Sequence, residues 1–292
     1  RIDEAKAELS SQSAAEQVLA AVRGEGRLQI AAVDTKPKKR YAPPPFITST
    51  LQQAASATLK FGASRTMQLA QQLYEGVELG DSGPAGLITY MRTDSVAVAD
   101  EAQRACRELI AARFGADFVP DQPLQYRNRA GAQGAHEAIR PTDVNRTPEA
   151  VAPFLDAAQL KLYTLIWKRF VASQMRPAEL AVTSVTVAKH ATDGHQYQFK
   201  AEATAVLFPG FTSVYQARES DEEEQEEETA PAALLAALRP GLDCRIEELR
   251  PEQKFTEPPP RFSEATLIRE LESNGIGRPS TYASILSTIQ ER

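Results

Sequence analysis

The sequence predicts an α+β fold of several domains. Two observations lead to that prediction: the length of the chain, and the change from helical to strand-like periodicity along it. At 292 residues the chain is too long for one ordinary hydrophobic core. Helical periodicity prevails over 47–176, whereas an alternation rich in Val, Thr, Tyr and Phe follows from 177. We therefore predict a mostly helical domain at 47–176, inserted in an antiparallel β-domain formed by 1–46 and 177–257. A further helical part, 258–292, begins with three prolines.

Caps, glycines and apolar spacing place the individual elements. The predicted helices are 10–23, 48–61, 64–76, 97–114 and 147–175, the last of them split at Pro153. The predicted strands are 27–34, 180–188, 196–203, 211–216 and 242–249. A basic, proline-rich connector at 36–45 ends the first strand. His190 and His195 flank a predicted turn and are expected to face solvent.

Composition narrows the class of protein. A hydrophobic content of 42% and a charged content of 25% are typical of a soluble globular protein. No run approaches the roughly 20 apolar residues of a membrane helix and no secretory leader opens the chain, so we expect no membrane partner. Cys106 and Cys244 lie far apart and in no CxxC pair, which favours a reducing cytoplasm over a disulfide or zinc framework. Cys106 falls within a predicted helix and is expected to be packed and inert.

The net charge of −6 argues at first against a nucleic-acid partner. Eight of the acidic residues lie in one run at 219–228, however, and without them 31 acidic residues face 33 basic ones. Such a run is expected to be a solvated, self-repelling loop. The charge balance therefore neither supports nor excludes DNA.

The stretch 86–95, GLITYMRTDS, carries the first candidate site. Residues two apart share a face of an extended segment, so Tyr90, Arg92 and Asp94 can point the same way. A phenol is a poor nucleophile unless a cation lowers the cost of its oxyanion. The alternative is a strand edge with a half-buried tyrosine and a structural ion pair, and spacing alone favours that commoner arrangement.

Two stretches, 46–66 and 262–282, repeat one helix-turn-helix pattern. Each follows prolines, caps its first helix with Ser or Thr, turns at Gly and opens a second helix with an arginine and hydroxyl groups. The free N–H groups of a helix start, next to a guanidinium and hydroxyls, are the elements of a phosphate site. Ordinary helix capping is the alternative. Two matching copies raise the case for phosphate contact.

A third candidate is His136, which is followed by Glu137 and, four residues on, by Arg140. If this stretch is helical, His136 and Arg140 lie on one face. It is not a zinc HExxH motif, because the second histidine is absent. A lone histidine is more often a structural residue, and only its pairing with the 86–95 stretch makes it a candidate.

Four strings together resemble the type IA DNA topoisomerases, specifically bacterial topoisomerase I. They are PFITSTLQQAAS (45–56), GLITYMRTDS (86–95), GAHEAIRPTDV (134–144) and RFSEATLIRELESNGIGRPSTYASILSTIQ (261–290). The strings occur in the family's order, and the resemblance covers nearly the whole chain. Topoisomerase III and reverse gyrase are alternatives within the same family. A non-enzymatic module that binds single-stranded DNA is the alternative outside it.

The resemblance implies a role for each matching residue. Tyr90 is the expected nucleophile that forms a 5′-phosphotyrosine, Arg92 stabilises the charged transition state, and His136 positions the DNA. The expected supporting residues are Thr89, Asp94, Glu137 and Arg140. The expected DNA contacts are Ser49, Gln52, Arg65, Arg278, Ser280 and Thr281.

The family further implies an ATP-independent relaxation of negatively supercoiled DNA through single-stranded breaks. Its members carry a Toprim domain that binds Mg²⁺, and this domain and the C-terminal zinc ribbons have no counterpart in these 292 residues. We expect a central fragment that is inactive alone, holds no metal ligand of its own, works as a monomer beside the Toprim domain and belongs to the bacterial cytoplasm and nucleoid.

Overall fold

A computed structural model describes residues 1–24, 26–80, 83–128, 136–216 and 229–291. The chain forms two compact units. The first comprises Arg1–Arg40, Glu179–Phe208 and Glu224–Pro259, and the second comprises Tyr41–Ala178, Pro209–Glu223 and Pro260–Arg292. The predicted α+β fold is confirmed. Residues 260–292 pack with the helices of the second unit; their assignment to a further domain stays a prediction. The acidic run 219–228 lies wholly outside the described residues.

Nine helices are found in the described residues. They are α1 (Gln12–Arg23), α2 (Thr48–Ala54), α3 (Ala63–Glu75), α4 (Asp100–Phe114), α5 (Pro148–Val151), α6 (Ala157–Ser173), α7 (Ala232–Ala237), α8 (Glu264–Ser273) and α9 (Tyr282–Glu291). The strands there are β1 (Leu28–Arg40), β2 (Val77–Glu78), β3 (Pro84–Ala85), β4 (Ala178–His190), β5 (Gln196–Phe208) and β6 (Asp243–Cys244). None of the helices is both long and apolar enough to cross a membrane.

The first unit is built on a sheet of order β5-β4-β1-β6. β4 and β5 pair as a long antiparallel hairpin, and β6 pairs antiparallel with the start of β1. Helix α1 begins at the side chain of Ser11, which caps its first turn. Its other end is held by Lys189, which is buried and donates from Nζ to the carbonyls of Val22 and Gly24 at 2.7 and 2.6 Å. A buried ammonium therefore caps the negative end of α1.

Two strand predictions are wrong. Residues 211–216 begin instead with the 3₁₀ turn Gly210–Ser213. Gly210 has φ +49°, and a Cβ there would lie 2.5 Å from the carbonyl oxygen of Pro177, so the chain turns where only glycine fits. Of 242–249, only Asp243–Cys244 pairs as a strand.

β1 is longer than predicted, since it continues through Pro37 to Arg40. β6 pairs with β1 only at Leu28 and Gln29. Beyond those residues no strand of the described chain pairs with that side of β1. Pro37, which has no N–H to donate, can therefore face that side without interrupting a ladder. Helix α7, which follows Pro231, was not predicted.

The second unit has a helical core around α6. The predicted break of 147–175 at Pro153 is confirmed, because a 3₁₀ turn, Ala152–Phe154, separates α5 from α6. Trp167 on α6 is buried and donates from Nε1 to the carbonyl of Val144 at 2.8 Å. The buried Arg169 donates from Nε to the carbonyl of Pro44 at 2.6 Å and lies over the ring of Phe46. The bond from Arg169 to Pro44 holds the end of the proline-rich connector against the core.

Two further predictions concern the helices of this unit. The predicted helix 48–61 is α2 continued by a π-helical turn, Ala55–Leu59, and it ends at Lys60 in a left-handed conformation. Cys106 on α4 is fully buried, and this burial raises the pKa of its thiol far above the ordinary range. The expectation of a packed, inert thiol agrees with that position.

Candidate active site

From Tyr90 to Ser95 the segment alternates between the surface and the core as predicted. Met91, Thr93 and Ser95 are buried, whereas Tyr90 and Arg92 on the opposite side are exposed, Tyr90 by 36%. Asp94 lies on that same side and is half-buried. The phenol and the guanidinium therefore share one accessible face.

Thr48, at the start of α2, holds the inner side of this segment. Its buried hydroxyl donates toward the carbonyls of Met91 and Thr93 at 2.8 and 3.0 Å and accepts from the N–H of Thr93 at 2.9 Å. The N–H of Thr48 also donates to the carbonyl of Thr93 at 3.0 Å. The start of one helix thus fixes the backbone on both sides of Arg92.

The end of α3 holds the beginning of the segment. The N–H of Leu87 donates to the carbonyl of Leu73 at 2.7 Å. A Cβ at Gly86 would lie 2.6 Å from the carbonyl oxygen of Tyr74, so the two backbones can approach this closely only at glycine. This contact brings the last turn of α3 beside Tyr90.

Residues 138–142 run alongside the segment in an extended conformation. The N–H of Thr89 donates to the carbonyl of Arg140 at 2.9 Å, and its hydroxyl donates to the carbonyl of Ala138 at 2.6 Å. The N–H of Thr142 donates to the carbonyl of Leu87 at 3.0 Å. The predicted helical face of His136 and Arg140 is therefore wrong. Pro141 disfavours a helical conformation at the residue before it, and the extended chain gains these bonds instead.

This pairing places the ring of His136 next to that of Tyr90, with 5.5 Å between the ring centroids. On its other side Tyr90 meets Tyr74 edge to face, also at 5.5 Å. Aromatic pairs at such distances are attractive and restrict the rotation of the central ring. The nucleophile candidate thus stands between two rings from distant parts of the chain.

Glu137 and Arg140, which follow His136 in the chain, form an ion pair with each other. Arg140 donates to Glu137 Oε2 at 2.6 Å, and Glu137 Oε1 accepts from the N–H of Ala99 at 2.7 Å, just before α4. Both oxygens of this carboxylate are thereby bonded. Among the described residues no three His, Cys, Asp or Glu side chains come together as metal ligands. The acidic groups near Tyr90 in this part of the chain do not fit a magnesium site of their own.

The arginine is exposed at both predicted phosphate-binding helix starts. Arg278, Ser280 and Thr281, just before α9, are exposed, and the hydroxyl of Thr281 accepts from the N–H of Arg278 at 2.8 Å. At the start of α3, Arg65 is exposed and lies 5.3 Å from the ring centroid of Phe61.

Ser49 and Gln52, the remaining predicted DNA contacts, are buried on α2. The structure therefore brings Tyr90, Arg92 and His136 together. It buries the side chains of Ser49 and Gln52.

Sequence reasoning missed Thr48 and Tyr74. Thr48 falls in the string PFITSTLQQAAS, where its hydroxyl suggests only a helix cap. Tyr74 lies on the polar side of a predicted helix and carries no local signal of its contact with Tyr90. Both act through partners more than ten residues away in the chain.

The comparisons with known proteins agree with these motifs. Residues 2–292 match a family model described as DNA topoisomerase. A DNA topoisomerase 1 of Xylella fastidiosa is 47% identical over 91% of this chain and 32% of that protein. A DNA topoisomerase 1 of Campylobacter jejuni is 42% identical over 99% of this chain and 39% of that protein.

The structure of full-length topoisomerase I from Thermotoga maritima superposes with a TM-score of 0.73 at 37% identity, and the match covers 99% of this chain and 44% of that one. The chain thus spans about a third of the length of the relatives it matches. It belongs to the bacterial type IA DNA topoisomerase family, the family that its four strings predict.

Proposed function

We propose that this chain carries the tyrosine half of a type IA topoisomerase, which relaxes negatively supercoiled DNA by breaking and rejoining one strand. The observation that supports the proposal best is the exposed Tyr90 ring between Tyr74 and His136, with Arg92 on the same face. The family of the chain makes DNA the expected substrate.

In the proposed reaction Oη of Tyr90 attacks the phosphorus of a phosphodiester in single-stranded DNA. The phenol loses its proton, the bond from phosphorus to the 3′-oxygen breaks, and that oxygen takes up a proton as the 3′-hydroxyl leaves. The new bond is a phosphodiester between Tyr90 and the 5′ end. Attack by the same 3′-hydroxyl reverses the step, so resealing needs no ATP.

The residues around Tyr90 serve this step in different ways. The guanidinium of Arg92 offsets the charge that develops on the phosphoryl oxygens. Tyr74 and His136 limit the rotation of the phenol, which keeps Oη directed at the backbone. Thr89, Glu137 and Arg140 hold His136 in place, and Asp94 is assigned to orienting Arg92. The start of α9 binds a phosphate upstream or downstream of the break through Arg278, Ser280 and Thr281.

As the family resemblance implies, we assign magnesium to acidic residues of a Toprim domain outside these 292 residues. In that position it would supply positive charge near the scissile phosphate. The working protein is proposed to be a monomer of the bacterial cytoplasm, associated with the nucleoid.

Covalent trapping tests the proposal. The chain is mixed with a purified Toprim domain, Mg²⁺ and a single-stranded oligonucleotide labelled at its 3′ end, and the mixture is denatured before electrophoresis. A 5′-phosphotyrosine retains the 3′ part of the DNA, so the label should move with the protein. Tyr90→Phe should abolish this adduct, and Tyr41→Phe, at another exposed tyrosine, should leave it unchanged. An adduct that survives Tyr90→Phe would falsify the assignment.

A second candidate function is a non-enzymatic module that binds single-stranded DNA. The exposed Arg278, Ser280 and Thr281 favour it. It predicts salt-dependent binding that weakens with Arg278→Ala. The trapping experiment separates the two functions, because a binding module leaves no covalent adduct.

A further inference from the structure

Two carboxylates of α8 contact the first helix-turn-helix repeat. Glu272 Oε1 accepts from the hydroxyl of Ser49 on α2 at 2.8 Å. Glu264 Oε2 accepts from the N–H of Ala63, the first residue of α3, at 2.9 Å. Both donors belong to the stretch in which the sequence predicts phosphate contacts.

Glu264 lies where an anion would bind. The start of α3 offers backbone N–H groups and the positive end of the helix dipole. A Cβ at Gly62 would lie 3.3 Å from Glu264 Oε2, so the carboxylate rests directly against the turn before the helix. Gln290 on α9 donates to the other oxygen, Oε1, at 3.0 Å. The carboxylate is thus positioned from both sides at the start of α3.

The apolar part of this contact is small. Ala63, Ile268 and Leu286 form a cluster of buried residues that is separate from the main core of the second unit. Such a cluster contributes little compared with a full core, because hydrophobic stabilisation follows the apolar area buried. Beside this cluster lie the bonds of Glu264 and Glu272, polar contacts that water or another ligand can replace.

Gln52 supplies an independent indication. It lies one turn after Ser49 on the same side of α2, is completely buried, and neither its amide nitrogen nor its amide oxygen has a hydrogen-bond partner. An unpaired buried amide disfavours the arrangement that buries it. Gln52 therefore offers an unused donor and an unused acceptor on the same side of α2 as Ser49.

We propose that Glu264 and Glu272 form an autoinhibitory latch: their carboxylates occupy the positions of two backbone phosphates on the α2–α3 face. When α8 moves away, Ser49, Gln52 and the N–H of Ala63 face solvent beside Arg65, and together they bind single-stranded DNA. The proposal rests on the proposed function for the nature of the ligand. The start of α9, which is exposed, is the site that DNA reaches without this movement.

The test compares two charge-matched variants of the full chain by fluorescence anisotropy with a labelled oligothymidine at low salt. Glu264→Gln with Glu272→Gln opens the latch. Glu108→Gln with Glu270→Gln removes the same charge from exposed positions of the same unit. The latch variant should bind about fivefold more tightly than this control, because the two carboxylates no longer compete with phosphate at the start of α3 and at the Ser49 hydroxyl. Adding Ser49→Ala should remove part of that gain.

Equal affinities of the latch variant and its control would overturn the proposal, even where covalent trapping through Tyr90 succeeds. Hydrogen exchange supplies a second measurement. The amide of Ala63 should exchange faster in the latch variant than in the control, and oligothymidine should slow it again. If circular dichroism shows that the double variant has lost helix, Glu264→Gln alone against Glu270→Gln carries the test. Unchanged exchange at Ala63 would contradict the latch in either form.

Discussion

Replacing Thr48 by valine tests whether one hydroxyl positions the segment that carries Tyr90. Valine has the same shape, so packing is preserved while the hydrogen bonds are lost. The N–H of Thr93 then has no acceptor and the carbonyl of Met91 no donor, both in a buried place, whereas the carbonyl of Thr93 keeps the N–H of residue 48. An unsatisfied buried group costs roughly 1–3 kcal/mol, so two of them should lower the free energy of unfolding by about 3 kcal/mol.

Urea unfolding monitored by Trp167 measures this loss. Trp167 is the chain's one tryptophan and lies buried in the second unit, so its emission follows the unit that contains Thr48. Thr58→Val, the same chemical change at an exposed position further along this helical stretch, should change the stability by less than about 0.5 kcal/mol. If Thr48→Val is no more destabilising than Thr58→Val, the proposed role of the hydroxyl is wrong. Thr48→Ser should restore most of the stability, since it keeps the oxygen.

Three other predictions address the rest of the chain. Lys189→Met should speed amide exchange in α1 at least tenfold. Two charge-assisted hydrogen bonds at the end of this helix, worth about 1.5–3 kcal/mol each, are lost. Unchanged protection of the α1 amides would refute the cap. A thiol reagent should modify Cys244 and spare the buried Cys106 until urea is added; equal rates in the folded chain would contradict the burial. The hydrogen bond that His195 donates to the Asp3 carboxylate raises the pKa of His195. The pair therefore stabilises the fold below the ordinary histidine pKa, and this gain disappears as pH rises through the raised value. NMR titration of Asp3→Asn should show a lower His195 midpoint.

The sequence was most informative where a local period decides the structure. In 86–95 the period of two separates Tyr90 and Arg92 from Met91 and Thr93, and the structure has that same division. Helix α1 was predictable for a similar reason, since Ser11 caps its first turn and Gly24 ends its last. In each case the interactions that select the conformation join residues only a few positions apart.

Long-range backbone pairing explains the main errors. Residues 136–140 carry a spacing that suits a helix, yet the bond from Ile139 to Phe46 and those between Thr89 and Arg140 select an extended chain. Their partners lie about 50 to 90 positions away, so no window of the sequence contains both halves. Pro141 was the one local signal against a helix.

The two helix-turn-helix repeats show the same limit at the level of function. Both open a second helix with an arginine and hydroxyls, and local rules assign both starts to phosphate. In the structure the first N–H of α3 donates to Glu264. Arg278, Ser280 and Thr281, before α9, are exposed. The start of α3 does hold an anionic group, but which anion binds depends on the part of the chain that packs there, and contact with phosphate stays a prediction. The repeat that supplies Glu264 also carries the exposed start, so one movement of α8 and α9 would release the first site and shift the second.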